Sequence, residues 1–193
     1  GALLETITKL EQRDDFSHFL PLITELKLLI KKQKKETESE LELISLVSLV
    51  ETLDASIERW KNRPFDTVSF ECLAHGFGQT YDRGRKSLMI AIERDDNFYL
   101  HEWRKDVQQT WRHMQILTLI WPEDIMPRIR LAREISKLLG TENDICDLER
   151  FMQANKRKLK KNKKLKPLYK PFRSALRTVC RDLSLHAIER GRR

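Results

Sequence analysis

The sequence predicts an all-α fold of about seven to eight long helices packed as antiparallel bundles. Apolar residues recur at i, i+3, i+4 and i+7 through most of the chain, and no alternating strand pattern interrupts them. Six glycines and six prolines in 193 residues supply little turn material for short strands. The breakers that do occur sit at ends of periodic stretches: Asn62-Arg63-Pro64, Trp121-Pro122 and Gly140.

In chain order, residues 3–12 and 19–35 read as two helices, the second with Phe19, Leu22, Ile23, Leu26 and Ile30 at helical spacing. Lys31 to Glu40 reads as a charged connection. Residues 39–61 form an amphipathic helix whose stripe is Leu43, Leu46, Val47, Val50, Leu53 and Ile57. Helices over 67–93, 97–120, 123–139, 143–160 and about 166–190 complete the set. Gly140 ends the third of these five as a C′ residue, and Asp144 then serves a structural role, as an N-cap or as an acid that orients an arginine. The domain reading is a partial first helical half over 1–64 and a second half over 65–193, together one domain.

Forty per cent apolar and 34% charged residues describe a well-hydrated globular chain. No stretch reaches the roughly 18 apolar residues of a membrane span. The richest, Leu41 to Leu53, is broken by Glu42 and Glu51. No secretory signal is evident, so the expectation is a cytoplasmic protein. Cys72, Cys146 and Cys180 are far apart and show no metal or redox spacing, so they read as reduced thiols of a reducing compartment. The net charge of +8 has one source. Lys156 to Lys166 holds eight cations and no acid, and removing those eight from the 37 basic residues leaves as many as the 29 acids. Lys156, Arg157, Lys160, Lys161, Lys163 and Lys164 therefore form a secondary basic run, either a solvated linker or a segment for an anionic partner.

The segment from Leu100 to Leu117 carries the most specific pattern. At about 100° per residue, His101, Arg104, Lys105, Gln108 and Arg112 share one side of a helix. Trp103, Val107, Met114 and Leu117 lie roughly opposite. Cations headed by a histidine suit a polyanion: a guanidinium donates in a planar fork, a lysine acts as a point charge, and imidazole donates to a phosphoryl oxygen. The same row also describes an ordinary solvated face. Arg85 lies on the expected packed side of its helix, where it needs either Asp144 or a ligand as partner. Arg130, Arg133 and Lys137 share a face of the 123–139 helix, opposite Leu131, Ile135, Leu138 and Leu139. Arg83 and Lys86 point away from Arg85 and read as solvated.

His-Glu-Trp-Arg-Lys at 101–105, with Trp111 seven residues after Arg104, resembles the signature helix of the CHAD family, the conserved histidine α-helical domain. Tyr81-Asp82-Arg83-Gly84-Arg85 resembles its Tyr-x-x-Gly-Arg helix. Leu138-Leu139-Gly140-Thr141-Glu142-Asn143-Asp144 resembles its Leu-Gly turn, and Ala187 to Arg192 its C-terminal helix end. These pieces cover about residues 65–193. Gln108 and Asn143 depart from the lysine and histidine common there, and no second His-x-x-Arg helix occurs in 1–64, so the chain resembles a member lacking the start of its first repeat. The resemblance implies two pseudo-symmetric bundles and a basic channel for inorganic polyphosphate, lined by His101, Arg104, Lys105, Arg112, Arg85, Tyr81, Arg130, Arg133 and Lys137. It also implies location at polyphosphate granules and a triphosphate-processing enzyme as partner.

No phosphate-binding glycine loop, nucleophile elbow or paired carboxylates accompany the cations, so the reading is binding without catalysis, cofactor or metal. RNA or single-stranded nucleic acid is the alternative polyanion. It would call for aromatic residues between the cations, and none is expected on that face. An accessory bundle for a partner enzyme is the third reading.

Overall fold

The computed structural model describes residues 1–41, 46–63, 69–94 and 96–192. In order these form α1 (Ala2–Glu11), a 3-10 turn (Asp14–Phe19), α2 (Leu20–Leu41), α3 (Leu46–Lys61), α4 (Phe70–Arg94), α5 (Asn97–Leu117), α6 (Pro122–Ala154), α7 (Lys156–Lys161) and α8 (Lys166–Gly191). The protein is all-α, with no strand among the described residues.

The apolar faces of these helices meet in two clusters. In the first, Ile7 of α1, Phe16 and Phe19 of the 3-10 turn and Leu22, Ile23 and Leu26 of α2 interlock with Leu148 and Met152 of α6, Leu159 of α7 and Phe172 and Leu176 of α8. Phe172 meets Phe16 and Phe19 edge to face, at centroid distances of 5.7 and 5.1 Å. The second cluster joins Leu88 and Ala91 of α4, Leu100, Trp103 and Val107 of α5, Ile135 and Leu139 of α6 and Ala187 of α8. Burying side chains of this size stabilises by about 1.5–3 kcal/mol each. The long helices α6 and α8 run through both clusters. Residues late in the chain therefore complete the core begun by residues 7–30, while residues 88–107 contribute to the second cluster.

Several elements differ from the sequence reading. Lys31 to Glu40 is no connection, because α2 continues to Leu41. Lys32–Glu36 and Lys34–Glu38 pairs, at 3.9 and 3.4 Å, support its exposed turns at i,i+4 spacing. In the amphipathic 39–61 stretch, Leu43 lies outside the described residues. Val50, Leu53 and Ile57 of α3, expected to pack, are about half exposed. The largest correction concerns Gly140. It does not end a helix: α6 is continuous from Pro122 to Ala154 and carries Gly140 in its interior. Asp144 is consequently a mid-helix residue and caps nothing. The break comes instead at Asn155, whose side-chain Nδ2 donates to the Phe151 carbonyl at 3.0 Å. Asp96 caps α5, accepting from the Phe98 amide at 2.8 Å, and so fixes the start of the histidine helix.

Candidate functional site

α5 and α6 pack antiparallel. Reading α5 forward and α6 backward, Arg104 meets Gly140, Gln108 donates to Ser136 Oγ at 3.2 Å, and Arg133 lies over the Trp111 ring at 4.9 Å from its centroid. One edge of α5 (Trp103, Val107, Met114) enters the core. The adjoining edge runs along the outside of the seam with α6, and it carries His101, Arg104, Gln108 and Trp111.

This edge is unusual in its hydrogen bonding. His101 Nδ1, Arg104 Nε and Trp111 Nε1 are all buried, and none has a hydrogen-bond partner among the described residues. A buried donor left unpaired costs about 1–3 kcal/mol. Three such nitrogens lie along one helix edge, packed in the seam with no acceptor beside them among the described residues. Arg104 lies against Gly140: a Cβ there would stand 3.2 Å from Arg104 Nη2 and would shift the guanidinium by a few tenths of an ångström. Arg112 joins the row with its guanidinium 5.8 Å from the Trp111 centroid. On α6, Arg130 and Lys137 lie about one turn on either side of Arg133, and all three are exposed.

Acids temper the row. Lys105 is held by Glu102 at 2.6 Å. His101 opens on a cleft of about 520 Å³ that also contains Asn97, Asn143 and Asp147. Arg150 neutralises Asp147 at 2.9 Å, and Asn143 donates to it at 3.2 Å. Burial pushes the Asp144 carboxyl above its ordinary value, and Arg104 partly offsets this. Asp144 thus answers Arg104 electrostatically, and of the two partners open to Arg85 it is not the one seen beside it.

Tyr81 and Arg85 are not part of this seam. Both are exposed at the rim of a cleft of about 410 Å³ between α4, α5, α6 and the end of α8. Its floor includes Trp103, Val107 and Ile135, and Arg128 and Arg190 share its rim. Arg85 was expected on the packed side of its helix. That side is instead Thr80, Leu88 and Ala91, and Arg85 borders it. Arg83, expected to be solvated, pairs with Asp106 at 2.6 Å and also donates to Gln109, tying α4 to α5.

The basic run is ordered. Lys156 to Lys161 form α7, and Leu159 and Leu165 are buried in the first cluster. Lys160 lies 5.0 Å from the Tyr169 centroid, and desolvation with neighbouring Lys156, Lys170 and Lys166 lowers its pKa. Sequence reasoning missed Trp111 as an aromatic among the cations, and it missed Asn97, Asp147 and Arg150 around His101. The first lay in the wheel, at the margin of the cationic arc. Asn97 lay one turn before His101 on the same helix, whereas Asp147 and Arg150 needed the α5–α6 register.

Together, the long antiparallel helices, the two apolar clusters sharing a spine and the His-x-x-Arg helix with buried unpaired donors define an all-helical domain with a cationic helix seam. A family model for the CHAD domain matches residues 2–153, and the chain belongs to that family. The match includes residues 2–64, which carried none of the expected motifs, and it ends before the expected likeness at Ala187 to Arg192. Searches among curated proteins and among solved structures find no match. No described helix is long and apolar enough to cross a membrane.

Proposed function

We propose that the chain binds inorganic polyphosphate, or a similar polyanion, along the α5–α6 seam and does not turn it over. The observation that carries this reading is the row of buried nitrogens on α5 with no hydrogen-bond partner among the described residues: His101 Nδ1, Arg104 Nε and Trp111 Nε1. Phosphoryl oxygens are strong acceptors and would satisfy such donors, while Arg112, Arg130, Arg133 and Lys137 would meet the remaining charge. The Lys156–Lys166 run extends the positive field beyond the seam and steers encounter. Tyr81 and Arg85 take no direct part in this reading, because they open on a different cleft.

The test is calorimetric titration with polyphosphate of defined length at several salt concentrations, repeated in competition with single-stranded RNA of equal charge. The expected result is saturable binding that weakens steeply with salt and resists RNA. Displacement by RNA at equal charge would favour the nucleic-acid reading, and absence of binding would favour an accessory bundle. Free phosphate released from polyphosphate in the presence of Mg²⁺ would overturn the non-catalytic part. Location at polyphosphate granules and a triphosphate-processing partner stand with this proposal and are checked by co-sedimentation with granules.

A further inference from the structure

Glu142 and Cys146 lie one turn apart on α6, and Cys180 of α8 packs directly against them. All three are buried, with 1%, 3% and 8% exposure. Cys146 Sγ is 3.1 Å from Glu142 Oε1 and 3.4 Å from Cys180 Sγ. The three potential ligand atoms all lie within 4.8 Å of one another. Asn97, from the start of α5, donates its side-chain N–H to Cys146 Sγ at 2.7 Å. No cation lies within ion-pair distance of Glu142 among the described residues. A carboxyl this deep, answered by a thiol alone, is poorly satisfied, because a thiol is a weak donor.

We infer that Glu142, Cys146 and Cys180 form a buried site for a zinc-class divalent cation that clamps α6 to α8. Two sulfur ligands and one carboxylate are a donor set that such ions favour over magnesium or calcium. Ligand bonds of about 2.3 Å to sulfur and 2.0–2.2 Å to oxygen separate neighbouring ligand atoms on a tetrahedron by roughly 3.5–3.8 Å. The two separations from Cys146 Sγ, 3.1 and 3.4 Å, are shorter by only a few tenths of an ångström, and the third pair lies within 4.8 Å, so small side-chain rotations admit the ion. Each thiol gives up its proton to solvent, and the two thiolates with the Glu142 carboxylate surround the cation with three negative charges against its two, leaving the site one net negative charge. The Asn97 N–H then supports the Cys146 thiolate as an outer hydrogen bond. The position suits a clamp, since Cys146 and Cys180 belong to the first cluster and Leu139, one turn before Glu142, to the second.

The test uses the full chain, reduced, stripped with a chelator and titrated with Co²⁺ and then Zn²⁺. One Co²⁺ per chain should bind with thiolate-to-cobalt charge-transfer absorption, and Zn²⁺ should displace it. About two protons should be released per ion, and Zn²⁺ should raise the melting temperature until chelator is added. Cys146→Ser and Cys180→Ser should each weaken Co²⁺ binding at least tenfold. Cys72→Ser should change nothing, since Cys72 is exposed and lies elsewhere. Should either serine variant fail to fold by circular dichroism, Glu142→Gln keeps both thiols and the side-chain volume and should likewise lose at least tenfold. Absence of charge-transfer absorption in the parent, or its loss in Cys72→Ser, overturns the inference. So does a Cys146–Cys180 disulfide formed by mild oxidation in a protein whose reduced form binds neither ion.

Discussion

The Arg104 guanidinium lies against the backbone of Gly140: a Cβ at residue 140 would stand 3.2 Å from Nη2 and 3.5 Å from Cζ and Nε. Gly191 stands closer still to Trp103, where a Cβ would come within 2.6 Å of Cζ2. The two glycines admit side chains of the same helix, α5, on different sides. One contact is with the mobile end of a flexible arginine. The other is with a rigid ring that is 2% exposed. They separate function from stability.

Gly140→Ala should displace the arginine without unfolding the protein. A guanidinium shifts by a few tenths of an ångström at little cost, and alanine is favoured over glycine inside a helix by about 0.8–1 kcal/mol. The expected result is an unchanged or slightly raised melting temperature with polyphosphate affinity lowered several-fold. Parent-like affinity in this variant would show that the arginine's seat against α6 is irrelevant to binding.

Gly191→Ala should behave in the opposite way. Neither the indole of Trp103 nor Leu88 Cδ2, which a Cβ at 191 would approach to 3.3 Å, has room to retreat within the second cluster. Overpacking of this kind costs about 1–3 kcal/mol. At about 2–4 °C per kcal/mol for a chain of this size, calorimetry should show a clearly lower melting temperature. An unchanged melt would mean that the end of α8 does not hold Trp103.

Gly140 also shows where sequence reading stops. The helices, their number and the histidine helix were legible because periodicity and breakers report local structure. A glycine after a leucine pair reads as a helix end, yet Gly140 serves a tertiary contact with a residue 36 positions earlier. The cationic row was legible from spacing on α5. The exclusion of Tyr81 and Arg85 from it was not, because the wheel of one helix does not say which neighbour covers each edge. Likewise Cys146 and Cys180 are remote in sequence and 3.4 Å apart in space.

Arg104→Ala and Arg112→Ala should each weaken polyphosphate binding by about 1–3 kcal/mol, the scale of a charge-assisted hydrogen bond. Helical circular dichroism should be retained. Arg104→Lys should recover only part of the loss, since a lysine lacks the planar fork. If both alanine variants bind like the parent by calorimetry, the seam is not the site.

Asp144 should make binding tighten in mild acid. Burial raises its pKa first, Arg104 lowers it, and Asp147, Lys9 and Glu5 contribute further. A polyanion at Arg104 would repel the carboxylate and raise its pKa further, so binding takes up protons. Affinity should therefore increase as pH falls from the mildly acidic range toward the ordinary aspartate value of about 3.9. Asp144→Asn should bind more tightly near neutral pH and lose this part of the trend. Weaker binding by the asparagine variant at neutral pH would instead make Asp144 an orienting partner of Arg104.

The Lys156–Lys166 segment combines two roles that substitution can separate. Lys158, Lys161, Lys163 and Lys164 are exposed, whereas Leu159, at 1% exposure, is anchored in the first cluster. Leu159→Ala should cost about 2–5 kcal/mol of stability, as for other buried leucines. Changing the four exposed lysines to glutamine should leave the melting temperature near that of the parent, because solvated cations on a short helix and turn contribute little to the fold. Their contribution is to the field around the protein. Each lysine that neutralises a phosphate adds about 0.7–0.9 to the slope of log affinity against log salt, by analogy with nucleic acids. The quadruple variant should therefore show a shallower slope and slower association, with dissociation less affected. Stopped-flow binding at four or five salt concentrations measures all three. An identical salt slope in variant and parent would leave the eight cations of this run as a solvated surface and assign the binding charge to the α5–α6 seam alone.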